Sequence, residues 1–549
     1  MLSTMQDVPL TIARIMRHGT TVHGASQVVT WTGAEPRRAS YAEVGRRSAQ
    51  LAHALRGLGI TGDQRVATFL WNNQEHLECY LAVPSMGAVL HTLNLRLPGD
   101  QLIYIANHAD DKVLVVDGSL VPLFAPALPA LKTIEHVVVT GDVDLSPLEG
   151  DHGKQIHRYE ELLAGQPTEF DWEEEIDERS AAAMCYTSGT TGNPKGVAYS
   201  HRSTYLHSMQ ICMIEGFGLG SQDLVLPVVP MFHVNAWGLP YAAMLSGASI
   251  LMPDRFLQAE PLAEMIEAEK PTMAAAVPTI WTALLNHLDQ THQDVSSLRE
   301  VIVGGSACPP ALMEAFEKRH GLRIIHAWGM TETSPLGTVA RAPAGVTGEA
   351  EMPYRVTQGR LPASVQGRLV GPDGSLMPHD GKSVGELEVR GPWIAGGYIS
   401  GETGSDSVEG DRFHDGWLRT GDVGTLSENG YLTLTDRSKD VIKSGGEWIS
   451  SVDLENHLMA HPDVAEAAVV GVPDDKWGER PLATVVLRPG AETGLEELKE
   501  FMAGRVARWQ VPERWSLVES VPKTSVGKFD KKVIRRQYGD DELDVVKLA

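Results

Sequence analysis

The sequence has few cysteines and no long apolar run, and these absences exclude several kinds of protein. Its four cysteines, Cys79, Cys185, Cys212 and Cys308, are far apart and form no C-x-x-C pair. The spacing therefore indicates neither a disulfide framework nor a cysteine zinc site, and reduced thiols are expected. No apolar run reaches the roughly 18 residues of a membrane span. The N-terminus lacks the basic start and apolar core of a signal peptide. We expect a cytoplasmic protein with no membrane partner.

Basic residues are also scarce relative to acidic ones. The 549-residue chain has 47 Lys and Arg against 71 Asp and Glu, which gives a formal net charge of −24. Because contacts with phosphate backbones need a basic surface, this balance argues against a nucleic acid partner. The chain is also longer than one hydrophobic core requires, so at least two domains are expected.

The order of apolar segments predicts an α/β fold. Helical spacing over residues 41–58 and 75–86 alternates with near-continuous apolar strands at 65–70 and 112–117. This alternation is typical of parallel sheets covered by helices on both faces.

A second kind of structure is predicted after about residue 340. Glycines and prolines become frequent there, and a short strand at 385–391 lies between turns, which indicates a mostly β subdomain. We predict a large domain at 1–438 and a small, mobile α+β domain at 439–549, which we call the lid.

Residues 187–195, Thr-Ser-Gly-Thr-Thr-Gly-Asn-Pro-Lys, are the most informative stretch of the chain. Glycines let a backbone approach a ligand closely, and successive N–H groups of such a turn form an anion nest. The hydroxyls and Lys195 add donors and charge, so a polyphosphate is the expected ligand. The stretch is not a Walker A loop, because Lys195 follows Pro194 and precedes Gly196. A flexible surface loop is the alternative interpretation.

Four further motifs follow in order, and each alone has a plain structural explanation. Residues 328–332, Trp-Gly-Met-Thr-Glu, could begin a helix, and residues 419–422, Arg-Thr-Gly-Asp, could form a turn. The charged run at 436–443 could be a linker. The Pro-Lys-Thr-x-x-Gly-Lys sequence at 522–528 could be a solvated terminal segment.

Together, the five motifs resemble those of the adenylate-forming superfamily, which includes acyl-CoA synthetases, adenylation domains and beetle luciferases. The resemblance covers residues 187–528 in the family order, and it is strongest to acyl-CoA synthetases. It extends to bacterial medium-chain acyl-CoA ligases, a group that includes 3-methylmercaptopropionate–CoA ligases. It implies a large N-terminal domain that holds the ATP and acid sites, with a small C-terminal lid.

The resemblance implies a nucleotide site in which the 187–195 loop clamps the β- and γ-phosphates of ATP. It places Trp328 against the adenine, Asp422 under the ribose hydroxyls, and Arg437 on the ribose or a phosphate. The implied ATP- and AMP-binding residues are Thr187, Ser188, Gly189, Thr190, Thr191, Gly192, Lys195, Gly305, Ser306, Ala327, Trp328, Gly329, Asp422 and Arg437.

The implied catalytic residues are Lys528, Glu332, Thr331 and His233. Lys528, delivered by the lid, would bring the acid carboxylate and the α-phosphate together, as an ammonium between two anions can. Thr331 would contact the α-phosphate. Glu332 would be the metal ligand, since Mg²⁺ prefers one or two carboxylates plus phosphate oxygens.

The remaining implied residues form the acyl pocket and the parts used in a second half-reaction. The acyl pocket residues are His233, Trp237, Gly304, Gly329, Met330 and Pro335. Lys439 is the implied hinge, at a position where the family often has Asp. The implied CoA tunnel residues are Lys443, Ser444, Gly445, Gly446, Glu447 and Trp448.

The implied reaction has two halves and uses ATP, Mg²⁺ and coenzyme A. A carboxylate first attacks the α-phosphate of ATP, which gives acyl-AMP and pyrophosphate. The lid then rotates about Lys439, and the CoA thiolate attacks the acyl carbonyl and releases AMP. The partners are thus a small carboxylic acid, ATP and CoA, while the formation of a homodimer stays open.

The sequence leaves open which acid is the substrate and to which class of protein the chain belongs. Bulky residues around Trp237 and Trp328 favour a short or medium-chain acid, with 3-methylmercaptopropionate a specific candidate. The alternatives are an enzyme that loads a carrier protein, a luciferase-like oxygenase, and a non-catalytic regulator that binds adenine nucleotides. The presence of both Glu332 and Lys528 argues against the regulator.

Overall fold

Three sheets organise the part of the chain that the structure describes. The computed structural model describes residues 3–172, 175–187, 193–371, 373–399, 412–444, 447–524 and 527–548, and for 447 and 448 it describes only the backbone.

The first sheet is mostly parallel. Within the described residues its seven strands are, in spatial order, Gln155–Arg158, His136–Thr140, Asp111–Asp117, Arg65–Phe69, Val89–Thr92, Ala181–Tyr186 and Gly196–Ser200. The last two strands pair antiparallel, so the predicted phosphate loop connects two neighbouring strands at one edge of the sheet.

The second sheet joins a mostly parallel half to an antiparallel half. Its strands in the described ranges are, in spatial order, Gln366–Val370, Gly385–Arg390, Trp417–Leu426, Tyr431–Arg437, Gly359–Arg360, Leu336–Val339, Arg323–Gly329, Glu300–Val303, Met273–Ala276, Leu224–Pro227, Ser249–Met252, Gln27–Thr30 and Arg37–Ser40. A further short strand, Phe413–His414, pairs with Trp417–Leu426. The antiparallel half, which begins after Arg323–Gly329, is the predicted β subdomain.

Helices cover both of these sheets. The α-helices of this part are Ile12–Val22, Tyr41–Gly57, Gln74–Ser85, Gly99–His108, Val121–Phe124, Tyr159–Leu163, His201–Cys212, Leu239–Ser246, Ala259–Glu269, Pro278–Thr291, Pro310–His320 and Met352–Arg355. The 3₁₀ turns are Gly118–Leu120, Ala125–Ala130, Ser146–Leu148, Thr331–Thr333 and Gly348–Glu351, and a left-handed turn covers Val234–Gly238.

The largest core lies between the two sheets. It combines Val66 of the first sheet and Ile250 of the second with helix residues such as Leu51 and Leu77, all of them fully buried. Two further clusters cover the outer faces of the sheets. The predicted α/β fold is therefore confirmed, because each parallel sheet is covered on both faces.

The lid contains the third sheet. Its described strands are Glu447–Ile449, Ile442–Ser444, Gly478–Leu487, Arg514–Leu517 and Val546–Lys547, with Val464–Asp474 paired to Gly478–Leu487. Its helices are Ser451–Met459, Leu495–Ala503 and Lys531–Gly539. The second sheet ends at Arg437 and the third begins at Ile442, and the predicted domain boundary falls between them.

The predicted helices and strands occur within one or two residues of their expected ends. The helix expected at 41–58 is Tyr41–Gly57, and Ser40 with Glu43 forms a capping box at its start. Strand Arg323–Gly329 continues past its parallel pairing with Glu300–Val303, since antiparallel pairing with Leu336–Val339 extends it. Residues 419–422 lie inside a strand and do not form a simple turn. Among the described helices, none combines the length and apolarity needed to cross a membrane.

Candidate active site

A cavity of about 920 Å³ lies where the large part of the chain meets the lid, and residues of both parts line it. Strands Ala181–Tyr186, Glu300–Val303 and Arg323–Gly329 end at this cavity, as expected for ligand sites of α/β sheets. The sequence-predicted residues on its wall are Thr187, Lys195, His233, Trp237, Gly304, Gly305, Ser306, Ala327, Trp328, Gly329, Met330, Thr331, Glu332, Pro335, Asp422, Arg437, Lys439 and Lys528. The predicted phosphate-loop residues that lie outside the described part are Ser188, Gly189, Thr190, Thr191 and Gly192.

Asp422 is a fixed acceptor on one wall of the cavity and is 4% exposed. Trp328 Nε1 donates a hydrogen bond to its Oδ2 at 2.8 Å, and Arg437 Nε lies 3.3 Å from its Oδ1. Asp422 and Arg437 are opposite each other on paired strands, which sets their spacing. A carboxylate held in this way can still accept hydrogen bonds from two neighbouring hydroxyls, because its oxygens have about four lone-pair sites.

Thr187 and Lys195 close the base of the phosphate loop. The N–H of Thr187 donates to the carbonyl of Lys195 at 2.8 Å, and the N–H of Lys195 donates to Thr187 Oγ1 at 3.3 Å. The strand after the loop also reaches the next motif, because Tyr199 Oη donates to the carbonyl of Thr331 at 2.8 Å. The strand that follows the loop and the 328–332 motif are thus fixed relative to each other.

Glu332 presents a carboxylate to the cavity and is 3% exposed. Tyr398 Oη donates to its Oε1 at 2.6 Å, and Arg412 Nη2 lies 3.4 Å from the same oxygen. A carboxylate beside the base of a phosphate loop fits the donors that Mg²⁺ prefers when it is bound together with phosphate oxygens. Among the residues the structure describes, no group of three or more His, Cys, Asp or Glu could hold a metal ion.

The segment after His233 has a left-handed backbone that shapes the predicted acyl side of the cavity. Residues 234–238 have φ between 45° and 76°. Each L residue in this region costs roughly 1–2 kcal/mol, and such strain persists where the surroundings hold the chain in place. Here Cys185 Sγ donates to Asn235 Oδ1 at 3.2 Å and anchors the turn from the first sheet. The turn places Trp237 on the cavity wall.

Trp237 and Gly304 face each other across this side of the cavity. A Cβ atom on Gly304 would lie 3.2 Å from Trp237 Cη2 and 3.0 Å from the carbonyl oxygen of Ala327. A side chain at Gly304 would therefore crowd both neighbours and narrow the space. Met330 and Pro335 line the same cavity, so the wall here is bulky and apolar.

His233 is neutral at neutral pH. Burial, together with the positive charges of Lys528 and Arg96, lowers the pKa of its imidazole to about 3. Arg96 also lines the cavity, and burial lowers the pKa of its guanidinium. The imidazole is therefore suited to hydrogen bonding and packing, and a positive charge on it is not expected.

Lys528 reaches the cavity from a turn of the lid. The N–H of Thr524 donates to the carbonyl of Lys528 at 2.7 Å, and Thr524 Oγ1 accepts from the N–H of Lys528 at 3.2 Å. The turn contacts the large part of the chain where Thr279 Oγ1 donates to the carbonyl of Gly527 at 3.3 Å. A Cβ atom on Gly305 would lie 3.6 Å from Lys528 Cε, so the absence of a side chain at Gly305 leaves room for the lysine.

Burial lowers the pKa of the Lys528 ammonium to about 8. The charges of Arg437 and Lys439 lower this pKa further, while Asp422 and Glu332 oppose the shift. The charged groups around Lys528 therefore belong to the predicted nucleotide site and to the predicted hinge.

The predicted hinge, Lys439, lies between two interactions that connect it to lid helices. Asp436 Oδ2 accepts from the N–H of Ser451, at the start of helix Ser451–Met459, at 2.8 Å. Arg535 Nη1 donates to Asp440 Oδ1 at 2.8 Å. The role of Lys439 as a hinge stays a prediction.

The predicted CoA tunnel residues whose side chains are described do not line this cavity. Lys443 is exposed, and Ser444 is buried where its Oγ accepts from Arg480 at 3.0 Å. Gly445, Gly446 and the side chains of Glu447 and Trp448 lie outside the described residues. The tunnel therefore also stays a prediction.

The cavity side chains that sequence analysis misses include Arg96, Tyr398 and Arg412. The signal that could have identified Tyr398 is the sequence Trp-Ile-Ala-Gly-Gly-Tyr at 393–398, just after strand Gly385–Arg390. Arginines on short loops carry no comparable signal.

The comparisons with known proteins identify the family and the fold. Residues 17–399 match the family described as AMP-binding enzyme, and residues 453–528 match the AMP-binding enzyme C-terminal domain. Among solved structures, the anthranilate CoA ligase AuaEII in complex with anthranoyl-AMP has a TM-score of 0.85 at 25% sequence identity. The similarity covers 98% of this chain and 99% of that one.

The relatives that match almost the full chain include three bacterial ligases. A 3-methylmercaptopropionyl-CoA ligase of Ruegeria pomeroyi is 43% identical over 98% of this chain and 99% of its own length. A medium-chain-fatty-acid–CoA ligase of Ectopseudomonas oleovorans is 41% identical, with 98% of each chain covered. A long-chain-fatty-acid–CoA ligase of Thermus thermophilus is 44% identical over 98% of this chain and 97% of its own. The chain therefore belongs to the AMP-binding enzyme family, whose members include the acid–CoA ligases of the adenylate-forming superfamily.

Proposed function

We propose that this protein is an ATP-dependent acid–CoA ligase that forms an acyl-adenylate intermediate and uses a short or medium-chain acid. The observation that supports this most strongly is that Lys528 of the lid lines the same cavity as Thr331, Glu332 and Asp422. The carboxylate and the α-phosphate can then both contact Lys528. Asp422 can bind the ribose, and Glu332 can bind the Mg²⁺ that accompanies the phosphates. Such positioning contributes a large share of this kind of catalysis.

In the first half-reaction, a carboxylate oxygen of the acid forms a bond to the α-phosphorus of ATP. The bond from that phosphorus to the bridging oxygen breaks, and pyrophosphate leaves. Lys528 brings the two anions together and stabilises the charge that accumulates on oxygen in the transition state. Asp422 orients the ribose, and Thr331 contacts the α-phosphate.

Glu332 is the residue that would hold Mg²⁺ with the phosphates, and the ion would neutralise part of their charge. His233 is neutral because its pKa is near 3, so it adds no positive charge beside the carboxylate and the phosphate. The bulky wall around Trp237 excludes water from the reacting carboxylate.

In the second half-reaction, the thiolate of CoA attacks the acyl carbonyl and AMP leaves. We propose that the lid rotates about Lys439 between the halves, so that Lys528 withdraws and the 443–448 segment replaces it. Because Lys443 and Ser444 lie away from the cavity in the present arrangement, this step requires a movement of the lid. One site can serve two reactions in this way.

The closeness of Trp237 to Gly304, where an added Cβ atom would lie 3.2 Å from Trp237 Cη2, favours a narrow acyl pocket. Related ligases are named for 3-methylmercaptopropionate, medium-chain and long-chain acids. We propose 3-methylmercaptopropionate and unbranched acids of similar length as substrates.

The test is CoA-dependent release of AMP with a panel of acids: 3-methylmercaptopropionate, butyrate, hexanoate, palmitate, benzoate and a branched acid. The expected result is the highest kcat/KM for the short thioether or unbranched acids, and no AMP release without CoA or acid. Release of AMP only with an acyl carrier protein would support the carrier-loading alternative. Absence of acid-dependent pyrophosphate exchange would contradict the proposal.

A further inference from the structure

The segment Trp393–Ile399, which we call the brace, lies between the base of the phosphate loop and the predicted metal ligand. The N–H of Ala395 donates to the carbonyl of Glu332 at 2.7 Å. The N–H of Ile399 donates to the carbonyl of Gly196, the residue after the loop lysine, at 2.9 Å. The brace therefore fixes these two parts of the site through its backbone.

The other end of the brace is anchored to the chain just after Glu332. Ser334 Oγ donates to the carbonyl of Trp393 at 2.7 Å, and Trp393 Nε1 donates to the carbonyl of Leu336 at 2.8 Å. Trp393 is 2% exposed, so this anchor is part of the core. The brace thus has little freedom to shift relative to the carboxylate of Glu332.

Tyr398 extends from the brace to the carboxylate itself. Its ring is 7% exposed and packs edge-on against Phe413, with 5.1 Å between the ring centroids. Its hydroxyl donates to Glu332 Oε1 at 2.6 Å, and Lys195 Nζ lies 5.1 Å from the ring centroid. One side chain therefore contacts both the predicted metal ligand and the predicted phosphate-binding lysine.

Arg412 approaches the same carboxylate oxygen from another direction. Its Nη2 lies 3.4 Å from Glu332 Oε1, and its guanidinium also donates to the carbonyls of Arg419 and Thr420 at 3.2 and 3.3 Å. The distance to Glu332 is longer than that of a strong charged hydrogen bond. The hydroxyl of Tyr398 is thus the closer of these two donors to Glu332.

A hydrogen bond of this kind orients a metal-binding carboxylate. A carboxylate that must bind a metal with one oxygen gains orientation when the other oxygen is held by a neighbouring donor. Loss of such a donor typically reduces metal affinity or activity by about 10- to 100-fold. The charge-assisted bond is also stronger than one between neutral groups.

We infer that Tyr398 is a positioning residue of the first half-reaction. It holds Oε1 of Glu332 so that the other carboxylate oxygen is directed at the metal bound with ATP, and it contacts Lys195 of the phosphate loop through its ring. This inference rests on the proposed function, and it concerns a residue that sequence analysis does not identify.

The test is the Tyr398→Phe variant, which removes one oxygen atom and keeps the ring over which Lys195 lies. ATP binding is measured by calorimetry without acid, once with Mg²⁺ and once with EDTA. We expect Tyr398→Phe to weaken binding about tenfold in Mg²⁺ and to leave binding in EDTA unchanged. Thioester formation from supplied acyl-AMP should also stay unchanged.

The matched control is Tyr41→Phe, because Tyr41 is also buried and its hydroxyl donates to the carbonyl of Ala248, away from Glu332. Both variants should melt at similar temperatures. The inference is overturned when Tyr398→Phe binds ATP like Tyr41→Phe, or when it weakens binding equally in Mg²⁺ and in EDTA.

A double-mutant cycle with Glu332→Gln separates positioning from a general structural effect. When Tyr398 acts through Glu332, the additional loss caused by Tyr398→Phe disappears in the Glu332→Gln background. Full additivity would contradict the inference. Failure of the proposed function would be visible separately, since the wild-type protein would then release no AMP with any acid and CoA.

Discussion

The two sides of the cavity are built in different ways. On the nucleotide side, Asp422 and Glu332 are buried and receive hydrogen bonds from Trp328 and Tyr398 at 2.8 and 2.6 Å, all within the large part of the chain. On the lid side, Lys528 lies on a short turn that contacts the large part through the bond from Thr279 Oγ1. The predicted nucleotide site is therefore preorganised, whereas the position of Lys528 depends on the lid. We therefore expect that Lys528 can leave the cavity without disturbing the predicted nucleotide site.

The largest expected effect comes from removing the lid's contribution. Lys528→Ala should slow acid-dependent pyrophosphate exchange by roughly 10²- to 10³-fold, because the charge that brings carboxylate and α-phosphate together is lost. Thioester formation from supplied acyl-AMP should stay close to wild type. Lys547→Ala, which changes an exposed lysine of the same lid, is the control. If Lys528→Ala slowed both half-reactions equally, the two sides of the cavity would not have the separate roles described here.

A second variant tests whether the lid must move. Lys439→Pro fixes φ near −65° at the predicted hinge and should slow thioester formation by roughly tenfold or more. Pyrophosphate exchange should change little, because Lys528 is already in the cavity. Lys439→Ala removes the same side chain but keeps backbone freedom, so it should spare both halves. Normal overall turnover in the proline variant would argue against a hinge at this residue.

The smallest effect is a dependence on pH. Because the pKa of Lys528 is lowered to about 8, its charge is present below pH 8 and is lost above it. The kcat/KM of pyrophosphate exchange should therefore be about half its plateau value at pH 8 and should fall about tenfold for each further unit. Lys528→Arg stays charged and should lose this decline even when its rate is lower. A decline that persists in Lys528→Arg belongs to another group.

Much of this architecture is predictable from the sequence. Alternating apolar strands and helices predict the covered parallel sheets, and the positions of Lys195, Trp328, Asp422 and Lys528 in five ordered motifs identify the cavity that they line. Each of these features is a local pattern, so each can be identified from its own short stretch of sequence.

The remaining features depend on contacts between distant parts of the chain. Tyr398 donates to Glu332, which lies 66 residues earlier in the chain. The left-handed turn at 234–238 is held by Cys185, which lies in a strand of the first sheet. Neither contact can be predicted from the periodicity of a helix or a strand. Residues 419–422 look like a turn by composition, yet pairing with neighbouring strands keeps them in a sheet.

The central claim, that one cavity serves two half-reactions through movement of the lid, is tested most directly by locking the lid. Arg488 of the lid donates to Asn286 Oδ1 at 2.8 Å, so cysteines at these two positions can be joined by a short bifunctional thiol reagent. Cys212, which is partly exposed, is first replaced by Ser, while the other three cysteines are buried. The locked enzyme should keep acid-dependent pyrophosphate exchange and lose CoA-dependent AMP release. A locked enzyme that carries out both half-reactions at the rate of the unlocked protein would contradict the account.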